Sequence, residues 1–142
     1  MNLNLKDKVF IVTGGSKGIG LAIVKSLLQE HAIPVIVTRN MSSLKEIEKE
    51  FSKIGVELHY KIAELTDPTA CKEAVDYVRN KFNRIDGVIN NAGVNDGIGL
   101  ENGSYEGFMN SIKRNLAHYY LMAHYALPML KKTKGSIVNI GS

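Results

Sequence analysis

Short apolar runs alternate along the chain with longer stretches in which apolar residues recur every three or four positions. Val9-Phe10-Ile11-Val12 is bounded by Lys8 and by Gly14-Gly15; it is too short for a helix and rich in β-branched residues, so it predicts a buried strand. From Gly18 to about His31 the apolar positions Ile19, Ala22, Ile23, Leu27 and Leu28 fall at helical spacing. The opening unit is therefore strand, glycine loop, helix. Val35-Ile36-Val37-Thr38, introduced by Pro34, predicts the second strand. Ser43 is the expected cap of the next helix, which carries Leu44, Ile47, Phe51 and Ile54 on one face.

The stretch from Val56 to Ala63 contains a third strand. Asp67-Pro68 then starts a helix running to about Phe82, because Asp caps orphan amides and Pro has no amide to cap. Gly87-Val88-Ile89-Asn90 makes the fourth strand, followed by a polar, glycine-rich loop from Gly93 to Gly103. Ser104 is expected to cap a long helix through about Leu130, with Phe108, Ile112, Leu116, Tyr119, Ala123 and Leu127 as its apolar stripe and Pro128 kinking or fraying its last turn. Gly135 ends it, and Ser136 to Ile140 form a fifth strand. Strict alternation of strands and helices argues for an α/β fold whose parallel sheet is covered on both faces. In such doubly wound sheets ligands bind outside the carboxyl ends of the strands, which points to the loops after Val12, Thr38, Ala63, Asn90 and Ile140.

Composition narrows the function classes. The 142 residues are 44% hydrophobic and 23% charged, ordinary globular values that exclude a disordered chain and suit one domain. Eighteen basic against 14 acidic side chains give +4. The excess is scattered apart from Lys131, Lys132 and Lys134, so it suits a phosphate ligand better than nucleic acid. Cys71 is the only cysteine, which excludes an internal disulfide and a CxxC site. A polar N-terminus without a signal-peptide core, and no run approaching the roughly 18–20 apolar residues of a membrane span, predict a soluble, cytoplasmic protein. His31, His59, His118 and His124 make no convincing metal set; the last two, six apart on one helix, fall on different faces and are expected at the surface or in helix packing.

The chemistry begins at Thr13-Gly14-Gly15-Ser16-Lys17-Gly18-Ile19-Gly20, between the first strand and the first helix. Glycines there let the backbone turn sharply and approach a pyrophosphate at the positive end of a helix. The spacing is neither GxGxxG nor the GK[ST] ending of a P-loop. Gly-x-x-x-Gly-x-Gly after a first strand instead resembles the short-chain dehydrogenase/reductase family, and the resemblance extends along the whole chain. Asn90-Asn91-Ala92-Gly93 is similar to the family's second signature, which implies that Asn91, Ala92 and Gly93 line the cofactor and steady the sheet. Asn115 matches the helix asparagine that holds a water in the family's proton relay, and Ser142 falls where the family places its catalytic serine. The resemblance implies a Rossmann-type doubly wound sheet, in the strand order three, two, one, four, five, and an oxidoreductase moving hydride between a nicotinamide cofactor and a carbonyl or secondary alcohol.

Cofactor choice follows from the residue after the second strand. An acid about 20 residues past the glycine loop accepts from the ribose 2′-hydroxyl, whereas an Arg accommodates a 2′-phosphate. Here the residue is Arg39, and Lys17 supplies a second cation, so NADP is expected, with NAD as the alternative. Glu64-Leu65 stands where relatives carry Asp and an apolar residue around the adenine. Ser16, Gly18, Ile19 and Gly20 complete the expected cofactor contacts.

In the family a Tyr and a Lys in a YxxxK motif downstream of the serine complete the catalytic set. They are absent here, and Tyr105, Tyr119, Tyr120 and Tyr125 lack that spacing. The chain is thus expected to be an amino-terminal, dinucleotide-binding portion spanning residues 1–142, truncated after the fifth strand, whose last strand becomes an apolar edge. The complete protein is expected to be a homo-oligomer acting on a small carbonyl or alcohol, without nucleic-acid or membrane partners. The loop Val94 to Glu101 is similar to that of sugar-oxidising members, the L-fucose dehydrogenases among them. The competing reading is a non-catalytic dinucleotide-binding or sensing fragment.

Overall fold

The computed structural model describes residues 3–141, so Ser142, the expected catalytic serine, lies outside the described residues. The elements alternate as β1 (Val9–Thr13), α1 (Gly18–Gln29), β2 (Ile33–Thr38), α2 (Met41–Lys53), β3 (His59–Ile62), α3 (Pro68–Phe82) and β4 (Gly87–Asn90). Then follow α4 (Tyr105–Ile112), a π turn over Lys113–Ala117, α5 (His118–Thr133) and β5 (Ser136–Asn139). The five strands make one parallel sheet in the order β3-β2-β1-β4-β5. This is the Rossmann-type arrangement, and the order reverses beside β1, between β1 and β4.

Strand alternation divides the core into two faces. Val9, Ile11, Val35, Val37 and Val88 pack with Cys71, Ala74, Val75 and Val78 of α3 and with Met122, Ala126 and Met129 of α5. Val12, Ile36 and Ile89 pack on the other side with Val24 and Leu27 of α1 and with Leu44, Ile47 and Phe51 of α2. Cys71 is fully buried, and its Sγ donates to the Leu65 carbonyl at 3.4 Å. Asp86 closes the opposite end of the sheet. It accepts from the Val9 amide at 2.9 Å and from two nitrogens of Arg84, each at 2.7 Å.

Several local expectations are revised. Pro34 lies inside β2 and not before it. The Ile33 amide bonds to Lys8 beside β1, so the next amide position faces β3, whose pairing begins only at Val35↔His59; Pro34 therefore has no ladder bond to lose. The cap of α2 is Asn40, whose side chain accepts from the Ser43 amide at 3.0 Å; Ser43 is the capped residue, not the cap. Asp67 and Ser104 do cap α3 and α4, as expected.

The long helix departs most. It is interrupted by the π turn at Asn115, and it continues past Pro128 to Thr133, ending with Lys134 in a left-handed conformation. Pro128 is exposed, so the carbonyl it leaves without a helical donor can be met by water. The expected apolar stripe is on the wrong side: Phe108 is 55%, Leu116 59% and Leu127 42% exposed, while His118, Met122, Ala126 and Met129 are buried. A π turn shifts the helical register after it, so one unbroken period cannot place Leu127, while Phe108 precedes the turn on α4, none of whose residues is buried. Along β5, Ile137 and Val138 are exposed, as expected of an edge.

Candidate functional site

A cleft of about 510 Å³ opens at the carboxyl ends of β1 to β4, beside the point where the strand order reverses. Gly14, Ser16, Lys17, Gly18 and Ile19 of the glycine loop line it, with Arg39 after β2, Glu64 and Leu65 after β3, and Asn91, Ala92 and Gly93 after β4. These residues, singled out from sequence alone, are thereby brought together.

The glycine loop is held from three sides. The Asn91 side chain donates to the Thr13 carbonyl at 3.1 Å and to the Gly14 carbonyl at 3.4 Å. Thr13 Oγ1 accepts the amides of Asn91 and Ala92, at 2.9 and 3.1 Å. The buried Ser16 hydroxyl lies 3.2 Å from that of Thr38, joining the loop to β2. Gly20 does not line the cleft; it lies below the loop, where an added Cβ would meet the Gly14 carbonyl and, at 2.6 Å, the Asn91 side chain. Gly18 is the opposite case. It has φ +54° and open space where a side chain would go, at the first turn of α1. That turn has no side-chain cap and no acidic residue, so its amides are available to an anion.

Charge is arranged around this terminus. Lys17 is exposed on the rim, and Arg39 Nη1 pairs with Glu64 Oε2 at 3.1 Å. Burial pushes the Glu64 carboxyl up, but the Arg39 guanidinium and bonds from Thr66 more than offset this and leave it below its ordinary value. The far wall is made by the π turn. Asn115 Oδ1 accepts the Val94 amide at 2.7 Å, and its Nδ2 donates to the Ser111 carbonyl at 3.1 Å, so Asn115 stands just behind the cleft.

Two wall residues escaped the sequence reading. Arg114 and His118 both line the cleft. His118, expected at the surface or in helix packing, is 1% exposed; its Nε2 donates to the Arg114 carbonyl at 2.8 Å, and burial holds its pKa below the ordinary value. Its signal in the sequence was its i, i+4, i+8 register with Met122 and Ala126 within α5. His124 is exposed and stacks on Tyr120. Tyr77 and Lys81 of α3 do have the YxxxK spacing, with Lys81 Nζ 3.5 Å from the Tyr77 hydroxyl, yet neither lines the cleft. Among the described residues no group of His, Cys, Asp or Glu could hold a metal ion, and no helix is long and apolar enough to cross a membrane.

A parallel sheet with its strand order reversing beside a glycine loop defines an α/β protein of the Rossmann type. A family model described as short chain dehydrogenase matches residues 8–142. The chain belongs to that family. It is 33% identical over 136 residues to an L-fucose dehydrogenase of Rattus norvegicus, covering 95% of this chain and 49% of the relative. The crystal structure of Cj0485 dehydrogenase superposes with a TM-score of 0.93 at 42% identity, covering 100% of this chain and 54% of that one. An alcohol dehydrogenase from Thermococcus sibiricus complexed with 5-hydroxy-NADP superposes with a TM-score of 0.85 at 30% identity, covering 94% of this chain and 57% of that one. The chain spans about half the length of the curated relatives it matches.

Proposed function

We propose that this chain forms the dinucleotide-binding portion of an oxidoreductase that uses NADP(H) in preference to NAD(H) and acts on a small carbonyl or secondary alcohol. The observation that carries the reading is the convergence of the glycine loop, the uncapped terminus of α1, Arg39 and Lys17 on one cleft. The open space above Gly18 and the close packing under Gly20 fit a pyrophosphate lying against the loop backbone. Arg39 and Lys17 would hold the 2′-phosphate, Glu64 and Leu65 would flank the adenine, and Asn91, Ala92 and Gly93 would face the nicotinamide half. When bound, the cofactor supplies hydride exchange at its nicotinamide ring.

The chain's own residues supply position and proton handling. Asn115 fixes the loop after β4 through the Val94 amide, and its place behind the cleft supports its holding a water in a proton relay. Ser142 would polarise the substrate oxygen. The family match and the dehydrogenase relatives support the enzymatic reading over a non-catalytic one. The likeness to the L-fucose dehydrogenase supports a sugar-type secondary alcohol as substrate. The exposed Phe108, Leu116 and Leu127 support a homo-oligomeric complete protein, and the single buried thiol accords with a cytoplasmic setting.

The test is a titration of the 142-residue chain with NADPH and NADH, followed by nicotinamide fluorescence. Saturable binding of NADPH, tighter than NADH and weakened by salt, is expected. No binding of either nucleotide would reject the reading.

A further inference from the structure

The cleft's two acid and base neighbours are already engaged with each other. Arg39 leaves the end of β2 and Glu64 the end of β3, and their side chains meet at 3.1 Å with 65% and 48% of their surfaces exposed. The two partners are not equally anchored. The other carboxylate oxygen of Glu64 accepts from the Thr66 amide at 3.3 Å and from the Thr66 hydroxyl at 3.1 Å. Glu64 is therefore held by its own loop, while the guanidinium is the exposed, movable half. Lys17, exposed on the rim of the same cleft, makes no ion pair among the described residues.

We propose that Glu64 is a specificity-determining residue, which competes with the cofactor's 2′-phosphate for Arg39 and so limits how strongly the cleft prefers the phosphorylated dinucleotide. The inference rests on the dinucleotide reading above. A phosphate reaching Arg39 must draw the guanidinium from a carboxylate already bonded to it, and it meets that carboxylate's negative charge nearby. The 2′-hydroxyl form makes neither demand. Arg39 alone would give a strong preference for the phosphate, and Arg39 paired with Glu64 gives a tempered one.

The experiment measures binding of adenosine 2′,5′-bisphosphate and adenosine 5′-monophosphate to the full chain by calorimetry, and takes the ratio of their affinities. Glu64→Gln keeps the length and an acceptor oxygen but removes the charge, so the site keeps its shape. It is expected to raise the ratio about fivefold, the scale of an exposed ion pair. In the Arg39→Met background the same change is expected to raise the ratio less than half as much, since only the carboxylate's direct repulsion of the phosphate is then relieved. A ratio that stays constant or falls in Glu64→Gln, or that rises equally without Arg39, overturns the competition while leaving dinucleotide binding intact. Failure of the chain to bind either probe removes both the dinucleotide reading and this inference.

Discussion

Asn115 accepts the Val94 amide at 2.7 Å while donating to the Ser111 carbonyl, so one side chain in the π turn fastens the loop after β4 to the helix that follows it. A second tie supports the first: Asp96 accepts from the Ser111 hydroxyl at 3.0 Å. The loop from Gly93 to Gly103 is otherwise largely exposed, and these two bonds, with Arg114 Nη1 4.0 Å from Asp96, tie it to the helix.

Asn115→Ala is expected to lower stability by about 1 kcal/mol, the net worth of such a hydrogen bond. Hydrogen exchange should quicken at Val94 and its neighbours while the β1 and β4 amides keep their protection. Unchanged exchange around Val94 would mean the loop is held by other contacts.

Arg39→Asp replaces an attraction for phosphate by a repulsion and also sets two carboxylates against each other at Glu64. NADPH affinity is expected to fall on the order of tenfold more than NADH affinity, with the difference shrinking as salt rises. Equal losses for both nucleotides would reject the role of Arg39.

Two glycines separate binding from folding. Gly18→Val projects into open space at a positive φ, so it should cost about 1–2 kcal/mol of stability through backbone strain yet abolish dinucleotide binding. Gly20→Ala drives a methyl into the Gly14 carbonyl and Asn91, and should cost more than about 2 kcal/mol. Urea melts and fluorescence titrations of the two variants would show opposite rankings in stability and in binding.

Asp86 gives a pH dependence of defined sign. Its burial pushes the carboxyl up, but bonds from Arg84 and the Val9 amide, with the charges of Arg84 and Lys8, more than offset this, and its folded pKa lies below the ordinary value. A depressed folded pKa adds stability above the unfolded value, near 3.9, that is lost as pH falls through the folded value. Asp86→Asn should lower the melting temperature at pH ~7, and the gap to the parent should narrow toward pH ~3. A gap constant with pH would mean the effect is packing and not charge.

Four strands were legible as short apolar runs beside glycine or proline, while β3, His59-Tyr60-Lys61-Ile62, could be placed only within Val56 to Ala63, and strand order followed from the family resemblance. The glycine loop, Arg39, Glu64 and Asn91 were legible because each sits at a strand's carboxyl end, where position alone implies the cleft. His118 and Arg114 were not, since Arg114 lies in the π turn, which periodicity cannot register, and His118 is a polar residue on the buried side of α5, where an apolar stripe was sought elsewhere. Tyr77 and Lys81 show the converse: a spacing that matches a motif carries no chemistry when its helix lies away from the cleft.

The single thiol of Cys71 offers a clock. Burial, with the nearby charges of Asp67 and Glu64, pushes its pKa up to about 11, and no surface of it meets solvent. The thiolate is the form that attacks thiol reagents, so labelling must wait until α3 parts from the sheet, and its rate counts those partings. Because Sγ is bonded to the carbonyl of Leu65, a cleft residue, a nucleotide that binds only the closed form should slow labelling by the factor one plus its concentration over Kd. The dissociation constant could then be read from a colourless ligand with no reporter attached to it.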